Sequence, residues 1–124
     1  MVAGGVEVII GVKTDPLFGP AVVFGLGGIL VEVLKDVAIR VPPLDAATAR
    51  EMVEEIRGAA LLRGVRGRPP ADVAALADAI VRLGQLAADH RDHLVALDLN
   101  PVLVLPEGQG VTAVDWLIQF DDAE

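Results

Sequence analysis

The chain has no cysteine, no serine and no tyrosine, and its 124 residues hold only three Phe and one Trp. Without cysteine there is no disulfide framework, no thiolate metal site and no cysteine nucleophile. Without serine, a serine nucleophile is excluded as well. Scarce aromatics leave Leu, Val, Ile and Ala to build the core. These are abundant: the apolar set makes up 53% of the chain, which rules out global disorder. Positive charge is also short, with 10 Lys and Arg against 18 Asp and Glu and a net charge of −8. A general binder of nucleic acid or of anionic membranes carries the opposite balance. Long hydrophobic runs are missing too. The longest uncharged stretch, Pro16 to Val31, contains two Pro and four Gly, and it falls short of the roughly 20 apolar residues a membrane helix needs. The start MVAGGVEVIIGVK has no basic segment before its apolar run, so no signal peptide is expected. These absences point to a soluble, cytoplasmic chain of one domain, able to form a core but too short for a complete two-domain enzyme.

What is present changes texture near residue 44. Val6 to Val12 is rich in β-branched residues and reads as a strand, and Ala21 to Phe24 as a second. Turn chemistry lies between them, from Lys13 through Pro20, and again at Gly25-Leu26-Gly27-Gly28. Ile29 to Leu34 and Val37 to Val41 complete four strands, whose short connections predict an antiparallel meander. Pro42-Pro43 stops the sheet. Asp45 is a suitable N-cap for a helix to about Arg57, with Ala49, Met52, Val53 and Ile56 on one face and Gly58 as its C′ residue. The spacing of Val73, Leu76, Ile80, Leu83 and Ala87 predicts a one-sided helix over Asp72 to Asp89. His93 to Leu99, Val102 to Leu105 and, after a Pro106-Glu107-Gly108 turn, Val111 to Ile118 return to β structure. The pattern predicts an α+β two-layer sandwich, a mostly antiparallel sheet with two main helices on one face. Asp121 to Glu124 reads as a frayed acidic end.

The most informative polar set is Asp98-Leu99-Asn100-Pro101 followed by Asp115. Strand alternation places Asp98 and Asn100 on one face, and a hairpin at Pro106-Glu107-Gly108 would return Asp115 beside them. Two carboxylates and an amide carbonyl suit a hard divalent cation such as Mg²⁺ that also holds nucleotide phosphates, and Glu32 is a further candidate for that cluster. The bland alternative is turn polarity before Asn-Pro. Gly25-Leu26-Gly27-Gly28 is not a phosphate loop: a strand follows it, so no helix N-terminus faces an anion, and a tight turn is expected. His90 and His93 are read as surface groups at a helix C-terminus, with metal binding or proton relay as the alternative. Arg63, Arg66 and Arg68 form the one basic cluster, either solvated or an anion contact for phosphate or a CoA-like ligand.

Taken in order, GVEVIIGVKTDPLFGPAVVFGLGGILVEVLKDVAIRVPPL, LLRGVRGRPP, LDLNPVLV and AVD resemble the ATP-grasp domain of NDP-forming acyl-CoA synthetases. That group includes the ADP-forming acetyl-CoA synthetases and, more distantly, the β subunit of succinyl-CoA synthetase. The resemblance runs from about Gly4 to Ile118 and fits the C-terminal subdomain, with 1–120 as that subdomain and 121–124 as a tail. It implies interconversion of acyl-CoA, ADP and phosphate with carboxylate, CoA and ATP through a phosphohistidine, with Mg²⁺ and ATP or ADP held in a cleft. By resemblance Asn100 and Asp115 are the Mg²⁺ ligands, and Glu32 and Asp98 lie on the nucleotide side. Asp98 stands where the succinyl-CoA synthetase branch has Glu. Glu7 matches a Glu in the strand leaving the cleft.

The resemblance also names what this chain is expected to lack. The N-terminal ATP-grasp subdomain, with its phosphate-binding Lys and adenine hinge, would precede Met1. The CoA-binding and phosphohistidine domains are the other expected partners, and neither His90 nor His93 sits in a phosphohistidine pattern. A single side of a phosphate clamp is not expected to turn over. Two other readings stand beside this one. The chain may be read as the ligand-sensing region of a synthetase-like protein acetyltransferase, or as a non-catalytic interaction module that self-associates through an exposed apolar face.

Overall fold

The computed structural model describes residues 5–15, 17, 19–26, 36–64 and 69–121. The elements are β1 (Val6–Asp15), β2 (Gly19–Leu26), β3 (Val37–Arg40), α1 (Ala46–Glu55), α2 (Ala59–Arg63), α3 (Val73–Asp89), β4 (Leu94–Val104), β5 (Val111–Ala113) and β6 (Trp116–Phe120). The fold is the expected α+β sandwich. Its sheet runs β3-β2-β1-β4-β5, with β6 also on β4, and every pairing is antiparallel.

Period-two alternation sorts the sheet's faces. Val8, Ile10 and Val12 of β1 and Val22 and Phe24 of β2 are fully buried beneath the helices. Glu7, Ile9, Gly11 and Lys13 take the opposite face, which the described helices leave open. The helices close the core with Met52, Val53, Leu76 and Ile80. Their starts are fixed by acidic caps: Asp45 accepts from the Thr48 N–H at 2.7 Å and Asp72 from the Ala75 N–H at 3.1 Å.

Several boundaries differ from expectation, each for a pairing or packing reason. Lys13 to Asp15 and Gly19 to Pro20 are strand, because β1 stays paired with β2 as far as Asp15↔Gly19. The Thr14 hydroxyl also donates to the Leu94 carbonyl at 2.6 Å. Gly25 and Leu26 continue β2 opposite Ile9 and Val8, so the chain does not turn there. Gly27, Gly28 and the strand expected over Ile29 to Leu34 lie outside the described residues. Gly58 is not a left-handed C′ residue: its φ is −74° and it precedes α2. Its role is steric, since a Cβ there would meet Leu26 Cδ1 at 2.3 Å and Cγ at 2.7 Å. Asp36 finishes α1 by accepting from the Arg57 and Gly58 N–H groups at 2.6 and 2.8 Å. The two strands expected either side of Asn100-Pro101 are one strand, β4, and the strand expected over Val111 to Ile118 is two.

Candidate functional site

The site is set by an irregularity shared by three strands. On one edge of β4, Val102 pairs with Val8 and Leu99 with Ile10, so Asn100 and Pro101 together oppose Ile9. That is a β-bulge, the device by which strands re-aim side chains near functional sites; the Asn100–Pro101 peptide is cis. On the other edge, β5 pairs with Val102 to Val104 and β6 with Leu94 to Leu99. The outer strand therefore breaks at Val114-Asp115, opposite the same bulge. Two hydrogen bonds close the gap: the Val114 N–H donates to the Pro101 carbonyl at 3.0 Å and the Asn100 N–H to the Asp115 carbonyl at 3.2 Å. The expected meeting of Asn100 and Asp115 is thus built into the backbone.

Asp98 lies two residues earlier, across from Gly11 on β1 and Leu117 on β6, on the face away from the helices. A Cβ on Gly11 would stand 3.3 Å from the Leu97 carbonyl, a tight approach, and at ordinary contact distance, 3.7 Å, from Asp98 Oδ1. Asp98, Asn100 and Asp115 are all exposed. Among the described residues none of them ion-pairs with Lys or Arg; the cations that do pair, Arg40, Arg63 and Arg82, serve Glu51, Glu54, Glu55 and Asp78. Asp115 Oδ1 accepts from the Trp116 N–H at 2.8 Å, which orients the exposed carboxylate.

Carboxylate and amide oxygens are donors of the kind that Mg²⁺ accepts. Mg²⁺ is commonly held by one or two carboxylates, with the remaining positions taken by substrate phosphates and water. Among the described residues no three His, Asp or Glu side chains converge to enclose a metal. A chain offering one carboxylate and one amide oxygen side by side suits an ion shared with a ligand better than a dedicated cage.

The other candidates separate. Glu32, Arg66 and Arg68 lie outside the described residues. Glu7 is exposed on β1, opposite Leu103. Arg63 pairs with Glu54. His90 caps α3, donating its N–H to the Leu86 carbonyl at 3.0 Å, and its ring meets Phe120 edge-on at 6.1 Å. His93 is exposed in the following turn, where its N–H donates to the His90 carbonyl.

One supporting residue escaped sequence reasoning in half its role. The spacing marks Asp72 only as the start of the helix; it is its N-cap, and its Oδ2 also accepts from the Gly110 N–H at 2.8 Å and the Gly108 N–H at 3.2 Å. It ties α3 to the turn of the hairpin whose base carries Asn100 and Asp115. The Ala75 N–H first, then those of Gly110 and Gly108, hold its carboxyl below the usual range. The turn glycines, both at positive φ, gave a hint of tight geometry but not of its partner, 36 and 38 residues away.

Comparison with known proteins gives this geometry a family. A family described as the ATP-grasp domain matches residues 1–120. The chain is 49% identical over 111 residues to an ADP-forming acetate–CoA ligase I of Archaeoglobus fulgidus, covering 90% of this chain and 16% of that one. It is 47% identical over 115 residues to the β subunit of ADP-forming acetate–CoA ligase II of Pyrococcus furiosus, covering 93% and 49%. The chain therefore spans about half of that subunit and a much smaller share of the A. fulgidus ligase. Among solved structures, a Pyrococcus horikoshii protein superposes with a TM-score of 0.91 at 43% identity, over 99% of this chain and 52% of that one. An acetyl-CoA synthetase of Ca. Korarchaeum cryptofilum, solved with coenzyme A and Mg-AMPPCP, superposes with a TM-score of 0.86 at 43% identity, over 94% and 53%. No helix among the described residues is long and apolar enough to cross a membrane. A family match over residues 1–120 and an antiparallel α+β sheet that superposes along nearly its whole length place this chain in the ATP-grasp domain family, and among its relatives are ADP-forming acetate–CoA ligases.

Proposed function

We propose that the chain is the metal-bearing half of the ATP-grasp cleft of an ADP-forming acyl-CoA synthetase, with residues 1–120 as its C-terminal subdomain and 121–124 as an acidic tail. The parent reaction converts acyl-CoA, ADP and phosphate to carboxylate, CoA and ATP. In this reading Asn100 and Asp115 would hold Mg²⁺, and Asp98 and Glu32 would lie on the nucleotide side. The bound ion supplies charge neutralisation for the nucleotide phosphates. The chain's own part is positional. The bulge and the facing strand break bring Asn100 and Asp115 together, and the Trp116 N–H orients the Asp115 carboxylate.

The observation that carries this reading is the backbone hydrogen bond from Asn100 to Asp115 at a shared strand break, with no ion pair to the Asp115 carboxylate among the described residues. Phosphoryl transfer needs phosphates gripped and oriented from several sides. The 124 residues alone are therefore expected to bind Mg-nucleotide weakly and to make no ATP. The remaining ATP-grasp subdomain and the CoA-binding and phosphohistidine domains are the partners this reading requires. The test replaces the matching segment of the P. furiosus β subunit with this chain and assays ATP formation with its partner subunit present. The chimera should be active and its Asn100→Ala/Asp115→Ala form inactive. An active double variant, or ATP synthesis by the isolated chain, would overturn the reading.

A further inference from the structure

Strand β6 reads Trp-Leu-Ile-Gln-Phe and carries no charge and no proline. Natural sheet edges are usually blunted by Lys, Pro or a bulge, because unpaired backbone groups recruit other strands. Here, among the described residues, β6 pairs only with β4 and its outer edge is free. The Asp115 carbonyl and the Asp121 N–H both bond inward, to Asn100 and His93. Alternation along an antiparallel strand then turns the backbone groups of Ile118 and Phe120 outward.

The side chains follow the same parity. Trp116, Ile118 and Phe120 pair with Leu99, Leu97 and Leu94, so they stand on the helix-bearing face. The helices cover them only in part: the His90 ring at the end of α3 meets Phe120, yet Trp116, Ile118 and Phe120 remain 62%, 44% and 51% exposed, although Leu97 and Leu94 are core. The edge thus offers outward-facing backbone groups beside an apolar stripe at two-residue spacing. Asp115 and Asp121 bracket it, with further acidic residues, Asp122 and Glu124, following in sequence.

This charge pattern selects the occupant. A second copy pairing antiparallel about Ile118 would set Asp115 against Asp121 at both ends, and each chain already carries −8. Like charges directly opposite each other destabilise a strand pair. We propose that the outer edge of β6 receives an extended segment of a partner polypeptide, apolar at alternate positions and basic at both ends, which adds a strand to the sheet. Backbone hydrogen bonds supply affinity in this mode, and the alternate side chains together with the flanking charges supply specificity.

Trp116 is the one tryptophan in the chain and reports directly on this edge. The experiment titrates the 124-residue chain, without Mg²⁺ or nucleotide, with the synthetic peptide Lys-Val-Thr-Val-Thr-Val-Lys and with its Glu-ended counterpart. The expected result is a saturable blue shift of Trp116 emission with the basic peptide and binding weaker by roughly tenfold or more with the acidic one. Ile118→Pro removes an outward N–H and no pairing to β4, so it should keep the far-ultraviolet circular dichroism and lose the shift. Equal response to both peptides, no response to either, an undiminished shift in a folded Ile118→Pro variant, or sedimentation as an edge-paired dimer would each overturn the proposal. Since no metal or nucleotide is present, these outcomes are independent of the Mg²⁺ assignment.

Discussion

At the scale of single residues, two buried carboxylates hold the elements together by accepting backbone N–H groups. Asp72 binds three of them, from α3 and from the β4–β5 turn, and Asp36 binds two at the end of α1. The carboxyl groups of Asp72 and Asp45 are held below their ordinary values by such bonds. A depressed folded-state value means stability that is present above the unfolded value, near 3.9, and lost as pH falls through the folded one. Thermal melts should therefore be flat near neutrality and fall below about pH 4, and Asp72→Ala should melt about 5 °C lower at pH 7 with a shallower acid decline. An unchanged midpoint at pH 7 would remove Asp72 from this role. Gly58 makes a steric prediction. Gly58→Ala drives a methyl into Leu26, whose Cγ as well as Cδ1 is in the way, and should cost about 1–3 kcal/mol in urea unfolding.

At the scale of elements, what was legible depended on whether the signal was local. Helix α3 was readable from spacing because a helix satisfies its hydrogen bonds within itself. The strand ends were not, because Lys13 to Pro20 is turn-like in composition and becomes strand only through pairing with β2 and the Thr14 bond to Leu94. The same holds for β4. Asn-Pro reads as a break, yet the strand passes through it as a bulge, and the break falls on the opposite strand at Val114-Asp115. The candidate site was therefore found by residue type and hairpin length, while its cause, a bulge facing a strand break, required the register. Gly108 and Gly110 sit at φ of 88° and 85° within the turn that positions this hairpin. Gly110→Ala should destabilise by about 1 kcal/mol or more in urea unfolding, through strain at positive φ. Full stability in that variant would mean the turn relaxes freely.

At the scale of the whole molecule, one face of the sheet is spent on the core and the other carries the polar candidates. The acidic balance that excluded nucleic acid as a general partner acquires a location: Asp98 and Asp115 on the site, and Asp121 beside a bare apolar edge. Among the described residues the sheet keeps one face uncovered by helices and β6 unpaired on its outer edge, and the chain spans 49% of the P. furiosus β subunit. The central claim is that Asn100 and Asp115 bring Mg²⁺ to the nucleotide. The most direct measurement is calorimetric titration of ADP, with and without Mg²⁺, into the P. furiosus β-subunit chimera and into its Asn100→Ala/Asp115→Ala variant. The account predicts Mg²⁺-dependent binding in the first and a loss of more than about a hundredfold in the second, beyond the 10–100-fold typical of groups that only support a ligand. Equal Mg²⁺-dependent affinity in the two proteins would contradict it.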